Sequence, residues 1–145
     1  MDKLYARSVF FVEDAERSLR FYREQLGFAL DWNYQEEGRT FVVQVSLFGF
    51  ELILNQVHGQ TRTRAGHGRV FIGLDDDQGE PLRQHILATG IPTQRVEWGR
   101  PTLVMTDLDA NELFFWLPHD DFSGFALTAV DARSVVEPTR QNGSG

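Results

Sequence analysis

The sequence predicts an α+β fold built from two copies of one strand–helix–strand–strand–strand (βαβββ) unit. An apolar strand at 8–12 precedes an acidic turn, a helical pattern and a glycine, and the same order returns in the second half of the chain. Val9 and Val70 are 61 positions apart, and the Glu-Leu pairs that start at Glu51 and Glu112 have the same separation. A constant offset between several matches is the signature of an internal repeat.

The repeat sets the expected domain organisation. Residues 1–118 are predicted to form one domain, with module one at about 5–57, a linker at 58–67 and module two at about 68–118. The linker is polar and rich in glycine, which is typical of a connecting segment. Residues 119–145 lie outside the repeat and are expected to form a C-terminal arm that ends in a disordered tail.

The first helix is predicted between Asp14 and Gly27. Asp14 is a good N-cap because its carboxylate can accept a hydrogen bond from an unpaired backbone N–H group. Leu19, Tyr22 and Leu26 follow at helical spacing and form an apolar stripe. Gly27 can adopt the left-handed conformation that commonly ends a helix.

Three strands are predicted after this helix. A short one lies around Leu30 to Tyr34, and the next two are TFVVQVSLF and FELILN, joined by a turn at Phe48-Gly49. In the second unit TLVMT and NELFFW correspond to these last two strands. Alternation of apolar and polar residues, with a turn between two such runs, is the pattern expected of antiparallel pairs.

The second unit is predicted to start with a strand at 70–74 and to continue into a helix. Pro81 is placed in the first turn of that helix, where its missing N–H group costs nothing. Leu82 and Ile86 form the apolar stripe, and Gly90 ends the helix.

Composition excludes several classes of function. The chain has 145 residues and no cysteine, so disulfides, thiolate catalysis and cysteine–zinc sites are excluded. A net charge of −7 argues against a surface that binds nucleic acid. No segment is typical of a signal peptide or a membrane span, so a cytoplasmic protein without nucleic-acid or membrane partners is expected.

Three segments resemble the vicinal oxygen chelate superfamily of glyoxalases, extradiol dioxygenases, and fosfomycin- and bleomycin-resistance proteins. They are VFFVEDAERSLRFYREQLGF, GRVFIGLDD and DLDANELFF. The last resembles the Asp-Pro-Asp-Gly-Asn turn of that superfamily, with Leu108 and Ala110 substituted. The resemblance implies curved mixed sheets around a cup-shaped cavity, built across a homodimer.

The same resemblance identifies the four positions at which metal-dependent relatives hold their ligands. Here these positions are Arg7, Glu51, Arg69 and Phe114. A guanidinium group stays protonated and phenylalanine has no donor atom, so only one of the four residues can bind a metal. One carboxylate does not hold a catalytic divalent ion, and neither a metal nor another cofactor is expected.

A shifted register offers a fallback metal site made of Glu51, His67 and Glu112. Residues two positions apart on a strand point to the same face, so Glu112 lies on the face of Phe114 and His67 on the face of Arg69. This set keeps an alternative function open, namely a metal-dependent lyase or dioxygenase of the same fold.

The greatest resemblance is to the bleomycin-resistance branch, through Trp98, Gly99 and Arg100. It implies a metal-free protein that sequesters an aromatic or amphipathic small molecule, such as a bleomycin-like antibiotic, and has no catalytic residue. An apolar cavity with a few polar groups suits such a ligand. The residues expected to bind it are Arg7, Trp32, Glu51, Arg69, Trp98, Phe114 and Trp116.

Two questions about these residues stay open at the level of sequence. Arg7 and Arg69 either pair with Glu51 and Glu112, or one of them binds an anionic group of the ligand, because a buried guanidinium needs a partner. The tryptophans either stack on a ligand or pack within the protein and its dimer contact.

Overall fold

The computed structural model describes residues 4–125 and 127–128. Within these residues the chain divides into two compact units. The first contains the chain up to Val70 together with Thr106–Leu113, and the second contains Phe71–Met105 and the residues from Phe114 onward.

The first sheet has four strands in the order β1-β4-β3-β2. β1 is parallel to β4, and the other neighbours are antiparallel. Helix α1 packs against β3 and β4. The elements are β1 (Ser8–Val12), α1 (Ala15–Glu24), β2 (Ala29–Glu36), β3 (Arg39–Leu47) and β4 (Phe50–Gln56).

The second sheet repeats this order and adds one strand, giving β5-β8-β7-β6-β9. Two mixed sheets with one long helix in each repeat confirm the predicted α+β class and the doubled βαβββ unit. The elements are β5 (Arg69–Gly73), α2 (Asp76–Thr89), β6 (Thr93–Glu97), β7 (Pro101–Thr106), β8 (Glu112–Trp116) and β9 (Leu127–Thr128).

Helix α1 begins as the sequence predicts. The Asp14 carboxylate accepts hydrogen bonds of 3.1 and 3.2 Å from the N–H groups of the second and third helical residues. Tyr22 and Leu26 are buried, whereas Leu19 is only half-buried. Gly27 has a φ of 81°, in the left-handed region.

Helix α2 begins earlier than predicted. Its N-cap is Asp75, which forms a capping box with Gln78, so Pro81 is the sixth helical residue and not part of the first turn. The prediction was wrong because the preference of proline for a first turn was weighed without the capping box. Proline inside the helix cannot donate to the carbonyl group of Asp77, four residues earlier.

The remainder of α2 agrees with the prediction. Leu82 and Ile86 are buried, and Gly90 ends the helix with a φ of 70°. The turn at Phe48-Gly49 is also confirmed, since both residues have positive φ values, 52° and 86°, between antiparallel β3 and β4.

The segments outside the repeat have structure of their own. The linker contains a 3-10 helix, Gly59–Arg64. The C-terminal arm contributes Leu127–Thr128, which pairs in parallel with β6 and forms the edge of the second sheet. The predicted disorder of the tail concerns residues outside those described. Among the described helices, none is long and apolar enough to cross a membrane.

Candidate ligand-binding site

A buried hydrogen-bond network positions the strands that carry the candidate residues of the first unit. The Tyr22 hydroxyl donates to Oδ2 of Asp107 at 2.8 Å. Oδ1 of Asp107 accepts from the N–H groups of Asp109 and Asn111, each at 2.9 Å. Burial raises the pKa of the Asp107 carboxyl group, although its hydrogen bonds act in the opposite direction. Burial likewise raises the pKa of Tyr22.

Asn111 extends this network to two further strands. Its Nδ2 atom donates to the carbonyl oxygen of Phe11 on β1 at 3.0 Å, and its Oδ1 atom accepts from the N–H group of Gly68 at 2.8 Å. The Asn111 side chain is fully buried and cannot reach water. Its hydrogen bonds with backbone groups satisfy its polar atoms in place of water. The start of β8 is therefore held against β1 and the residue before β5.

Arg7 forms an ion pair with Glu51 on β4. Nε of Arg7 donates to Oε1 of Glu51 at 2.7 Å, and the guanidinium lies 4.2 Å from the centre of the Tyr5 ring. Hydrogen bonds with Tyr5 and then Glu51 raise the pKa of Arg7. The two side chains of the pair are 27% and 39% exposed.

Arg69 and Glu112 form the equivalent pair between β5 and β8. Nε of Arg69 donates to Oε1 of Glu112 at 2.8 Å, with side-chain exposures of 33% and 22%. Both pairs match the first of the two interpretations that the sequence left open. The expectation of burial was wrong, because both pairs keep access to solvent.

The face of the first sheet that points away from α1 combines apolar and polar groups. Val9 is 45% exposed and lies beside Ile53, whereas the alternate residue Phe10 is buried. Trp32 and Tyr34, on the edge strand β2, are 43% and 52% exposed. These side chains offer apolar surface to a ligand or a partner.

A polar cluster that sequence reasoning missed lies between β2 and β3. Asp31 accepts hydrogen bonds of 2.8 Å from both Gln44 Nε2 and Ser46 Oγ. Gln44 is only 3% exposed, and its Oε1 atom has no hydrogen-bond partner among the described residues. Period-two alternation places Gln44 on the same face of β3 as Val42 and Ser46. A bulge after Leu30 on β2 brings Asp31 within hydrogen-bonding distance of Gln44 and Ser46.

The candidate aromatic residues of the second unit pack against one another. The ring centres of Trp98 and Phe114 are 5.1 Å apart, and those of Phe71 and Trp116 are 4.6 Å apart. Phe114 has no exposed surface and lies with Val96 in a core cluster against which Trp98 packs. Phe114 therefore supports Trp98 and presents no surface to a ligand in this conformation.

Trp116 is fixed on two sides. Its Nε1 atom donates to Oγ1 of Thr102 at 3.0 Å, and the Arg100 guanidinium lies 4.9 Å from the centre of its ring. Arg100 also donates to Asp120 and to the carbonyl oxygen of Leu117. Phe71 is the most exposed residue of this aromatic cluster, at 40%, and the sequence analysis did not identify it as a candidate.

The repeat, the sheet order and the paired positions agree with one family. The chain matches the model of the "Glyoxalase/Bleomycin resistance protein/Dioxygenase superfamily" over residues 5–115. It belongs to this superfamily. Comparison with curated proteins gives no match.

Solved structures of the superfamily share the fold. One is a bleomycin-binding protein from bleomycin-producing Streptomyces verticillus, complexed with copper(II)-bleomycin: it is 17% identical, with a TM-score of 0.61 over 81% of this chain and 98% of that one. TnmS3, an antibiotic binding protein from Streptomyces sp. CB03234, is 22% identical, with a TM-score of 0.56 over 81% and 99%. Lactoylglutathione lyase from Agrobacterium tumefaciens is 16% identical, with a TM-score of 0.54 over 79% and 92%. Identities this low establish the fold alone.

A divalent ion does not fit the residues at the four positions that the family resemblance assigns to metal ligands, which are Arg7, Glu51, Arg69 and Phe114. The two carboxylates nearest to that site are both paired. Glu51 and Glu112 each accept a hydrogen bond from an arginine, whose positive charge would repel a metal ion. Within residues 4–125 and 127–128, no three side chains of His, Cys, Asp or Glu form a group that could hold a metal. The fallback set of Glu51, His67 and Glu112 is therefore not assembled.

Proposed function

We propose that this chain is a metal-free binding protein that sequesters an aromatic or amphipathic small molecule. The observation that carries the proposal is the presence of two equivalent ion pairs, Arg7–Glu51 and Arg69–Glu112. Each puts a cation where a metal enzyme of the superfamily needs a neutral or anionic ligand. The two acidic side chains are already neutralised, so the charge that would attract a metal ion is absent.

The apolar side chains of the open sheet face support binding of a ring-containing ligand. Trp32 and Tyr34 offer flat surfaces for stacking, and Val9 and Ile53 offer aliphatic contact. The polar groups of Asp31 and Ser46 lie on the neighbouring strands and can orient the ligand. A bleomycin-like antibiotic is one candidate, because the net charge of −7 attracts a cationic drug.

Thermal melting of metal-stripped protein tests this function. The protein is melted alone, with Zn²⁺, Ni²⁺, Mn²⁺ or Fe²⁺, and with a panel of aromatic compounds that includes bleomycin. A ligand that binds only the folded state raises the melting temperature. We expect a shift with at least one aromatic compound and none with the metals.

The same experiment tests the alternative function, a lyase or dioxygenase with displaced ligands. A saturable shift with one metal, lost in Glu51→Ala and in His67→Ala, would support that enzyme and reject the binding protein. No shift with any metal or any compound would reject both functions.

We also propose that the protein is a homodimer, and that it acts in the cytoplasm. Strand β2 forms the edge of the first sheet among the described residues, and its eight residues are all exposed, including Leu30, Trp32 and Tyr34. Exposed apolar groups on a sheet edge favour contact with a second copy. Sedimentation equilibrium should give twice the chain mass, and Tyr34→Glu should shift the protein towards monomer. A monomer at all concentrations would reject the dimer.

A further inference from the structure

A pocket of about 300 Å³ lies where the linker passes over β1 in the first unit. None of its lining residues belongs to the two ion pairs. A volume of this size matches the lower end of small-molecule sites, so it suits a ligand of one or two rings. Its lining residues are Val9, Phe11, Thr63, Arg64, His67 and Gly68.

One side of the pocket is apolar and carries a cation at its rim. Val9 and Phe11 project from β1, and the Arg64 guanidinium lies 5.5 Å from the centre of the Phe11 ring. This distance is within the range of a cation–π contact, which restrains the arginine without using all of its five N–H donors. In the part of the chain that the structure describes, Arg64 forms no ion pair.

The opposite side is a loop held in place by the buried network. Gly68 donates its N–H group to Asn111 Oδ1 at 2.8 Å, and its carbonyl oxygen accepts from the N–H group of Glu112 at 2.9 Å. A Cβ atom at Gly68 would lie 2.5 Å from the Phe10 ring, so the loop fits closely. His67 is therefore presented from a fixed backbone.

The linker is the basic part of an acidic protein. Residues 58–67 contain two arginines and two histidines and no Asp or Glu, although the whole chain has a net charge of −7. Repulsion from distant carboxylates is screened beyond about 10 Å at ordinary ionic strength. The charge next to the pocket therefore favours an anion.

We propose that this pocket binds a small aromatic carboxylate. The ring lies against Val9 and Phe11, and the carboxylate accepts hydrogen bonds from Arg64 and from an N–H group of His67. Guanidinium and carboxylate groups form short, charge-assisted hydrogen bonds, which fix the orientation of the ligand. This inference deepens the proposed function and rests on it, because it names the charge class of one ligand.

Calorimetric titration with three naphthalene compounds tests the charge class. They are 2-naphthoate, its neutral amide 2-naphthamide and the cation 2-naphthylmethylamine, which share one ring system. We expect 2-naphthoate to bind at least about tenfold more tightly than the other two, as loss of a charge-assisted hydrogen bond predicts. Arg64→Gln should remove this preference, and His67→Gln should reduce it.

Arg62→Gln is the matched control. Arg62 lies on the same 3-10 helix, is exposed and carries the same charge, but it does not line the pocket. Affinity for 2-naphthoate should change less than about twofold in this variant, since Arg62 does not line the pocket and an exposed charge that makes no direct contact contributes little in water. An equal loss in Arg62→Gln and Arg64→Gln would overturn the site, because it would show a general charge effect.

Binding of compounds of different charge distinguishes an error in the carboxylate pocket from an error in the proposed function. If a neutral or cationic aromatic compound binds and 2-naphthoate does not, the carboxylate pocket is wrong and the binding function stands. If no compound of any charge binds in calorimetry or in the melting panel, both are wrong.

Discussion

Arg7 and Glu51 are joined in the first repeat in the same way as Arg69 and Glu112 in the second, by a hydrogen bond from Nε to Oε1. The two distances are 2.7 and 2.8 Å. The first pair links the residue before β1 to β4, and the second links β5 to β8. The repeat has therefore duplicated an ion pair, and three of its four residues, Arg7, Glu51 and Arg69, stand at positions that the family resemblance assigns to metal ligands.

These ion pairs affect the local charge around Glu51 and Glu112 more than they affect the stability of the fold. Exposed ion pairs contribute little to the free energy of folding, since solvent screens them and two long side chains lose freedom. Their effect is to neutralise both carboxylates at the positions that would attract a cation. This neutralisation of charge is the main support for the proposed function.

Trp32 and Trp98 should respond differently to replacement by alanine. Trp32 is 43% exposed on an edge strand, so Trp32→Ala should weaken binding of the aromatic ligand found in the melting panel and lower the free energy of unfolding less than Trp98→Ala does. Trp98 packs on Phe114 and Val96, so Trp98→Ala should lower the free energy of unfolding by about 2–3 kcal/mol. Unchanged ligand affinity in Trp32→Ala would remove Trp32 from the binding site.

Tyr22→Phe should destabilise the protein by about 1–3 kcal/mol. The change removes the hydroxyl donor from Oδ2 of buried Asp107, which keeps only the 3.0 Å hydrogen bond from Asn111 Nδ2, and a buried carboxylate that loses a donor is destabilised. Tyr34→Phe is the control, because the Tyr34 hydroxyl bonds to Glu36 on an exposed strand. Urea unfolding measures both variants. Equal midpoints for the two would show that the Tyr22–Asp107 hydrogen bond does not support the fold.

The raised pKa of Asp107 predicts a specific dependence of stability on pH. The folded state holds the proton more strongly than the unfolded state, whose carboxyl pKa is close to the ordinary 3.8. Stability from this group is thus fully present below 3.8 and is lost as pH rises through the folded pKa. The free energy of unfolding of the wild type minus that of Asp107→Asn should fall over this range. A flat or rising difference in urea titrations would contradict the raised pKa.

Gly66→Ala should be more destabilising than Gly99→Ala. Both glycines have left-handed backbones, with φ values of 84° and 80°. At Gly99 a Cβ atom meets nothing within 4 Å, so only the conformational cost of about 1–2 kcal/mol applies. At Gly66 the Cβ atom also collides with the carbonyl oxygen of Asp109, which should add about 1–3 kcal/mol. Equal losses in thermal unfolding would mean that the loop bearing His67 is not tightly held.

The elements of the fold were predictable because their signals are local and occur twice. The cap at Asp14, the glycine at Gly90 and the Phe48-Gly49 turn each specify one backbone conformation. The constant offset between repeats then predicted that the same elements occur in the second half of the chain. The start of α2 was predicted too late in the chain because it was inferred from Pro81. Proline favours a first turn, but it is also tolerated deeper in a helix whose start is set by another cap.

The candidate site was predictable only where the repeat constrained it. Pairing of Arg7 with Glu51 and of Arg69 with Glu112 was one of the two possibilities that the sequence left open, and the structure contains both pairs. The burial of Phe114 beneath Trp98 depends on side-chain packing, which has no sequence period. Likewise, the contact of Arg64 with Phe11 depends on how a glycine-rich linker folds back, and polar composition alone indicates no such path.

The most direct test of the central claim, that this protein binds no divalent metal ion, is equilibrium dialysis. The metal-stripped protein is dialysed against Mn²⁺, Fe²⁺, Ni²⁺ and Zn²⁺, and bound metal is measured by mass spectrometry. Since Arg7 and Arg69 neutralise Glu51 and Glu112, the account predicts far less than one metal ion per chain for every ion. One ion bound per chain, lost in Glu51→Ala or Glu112→Ala, would contradict it.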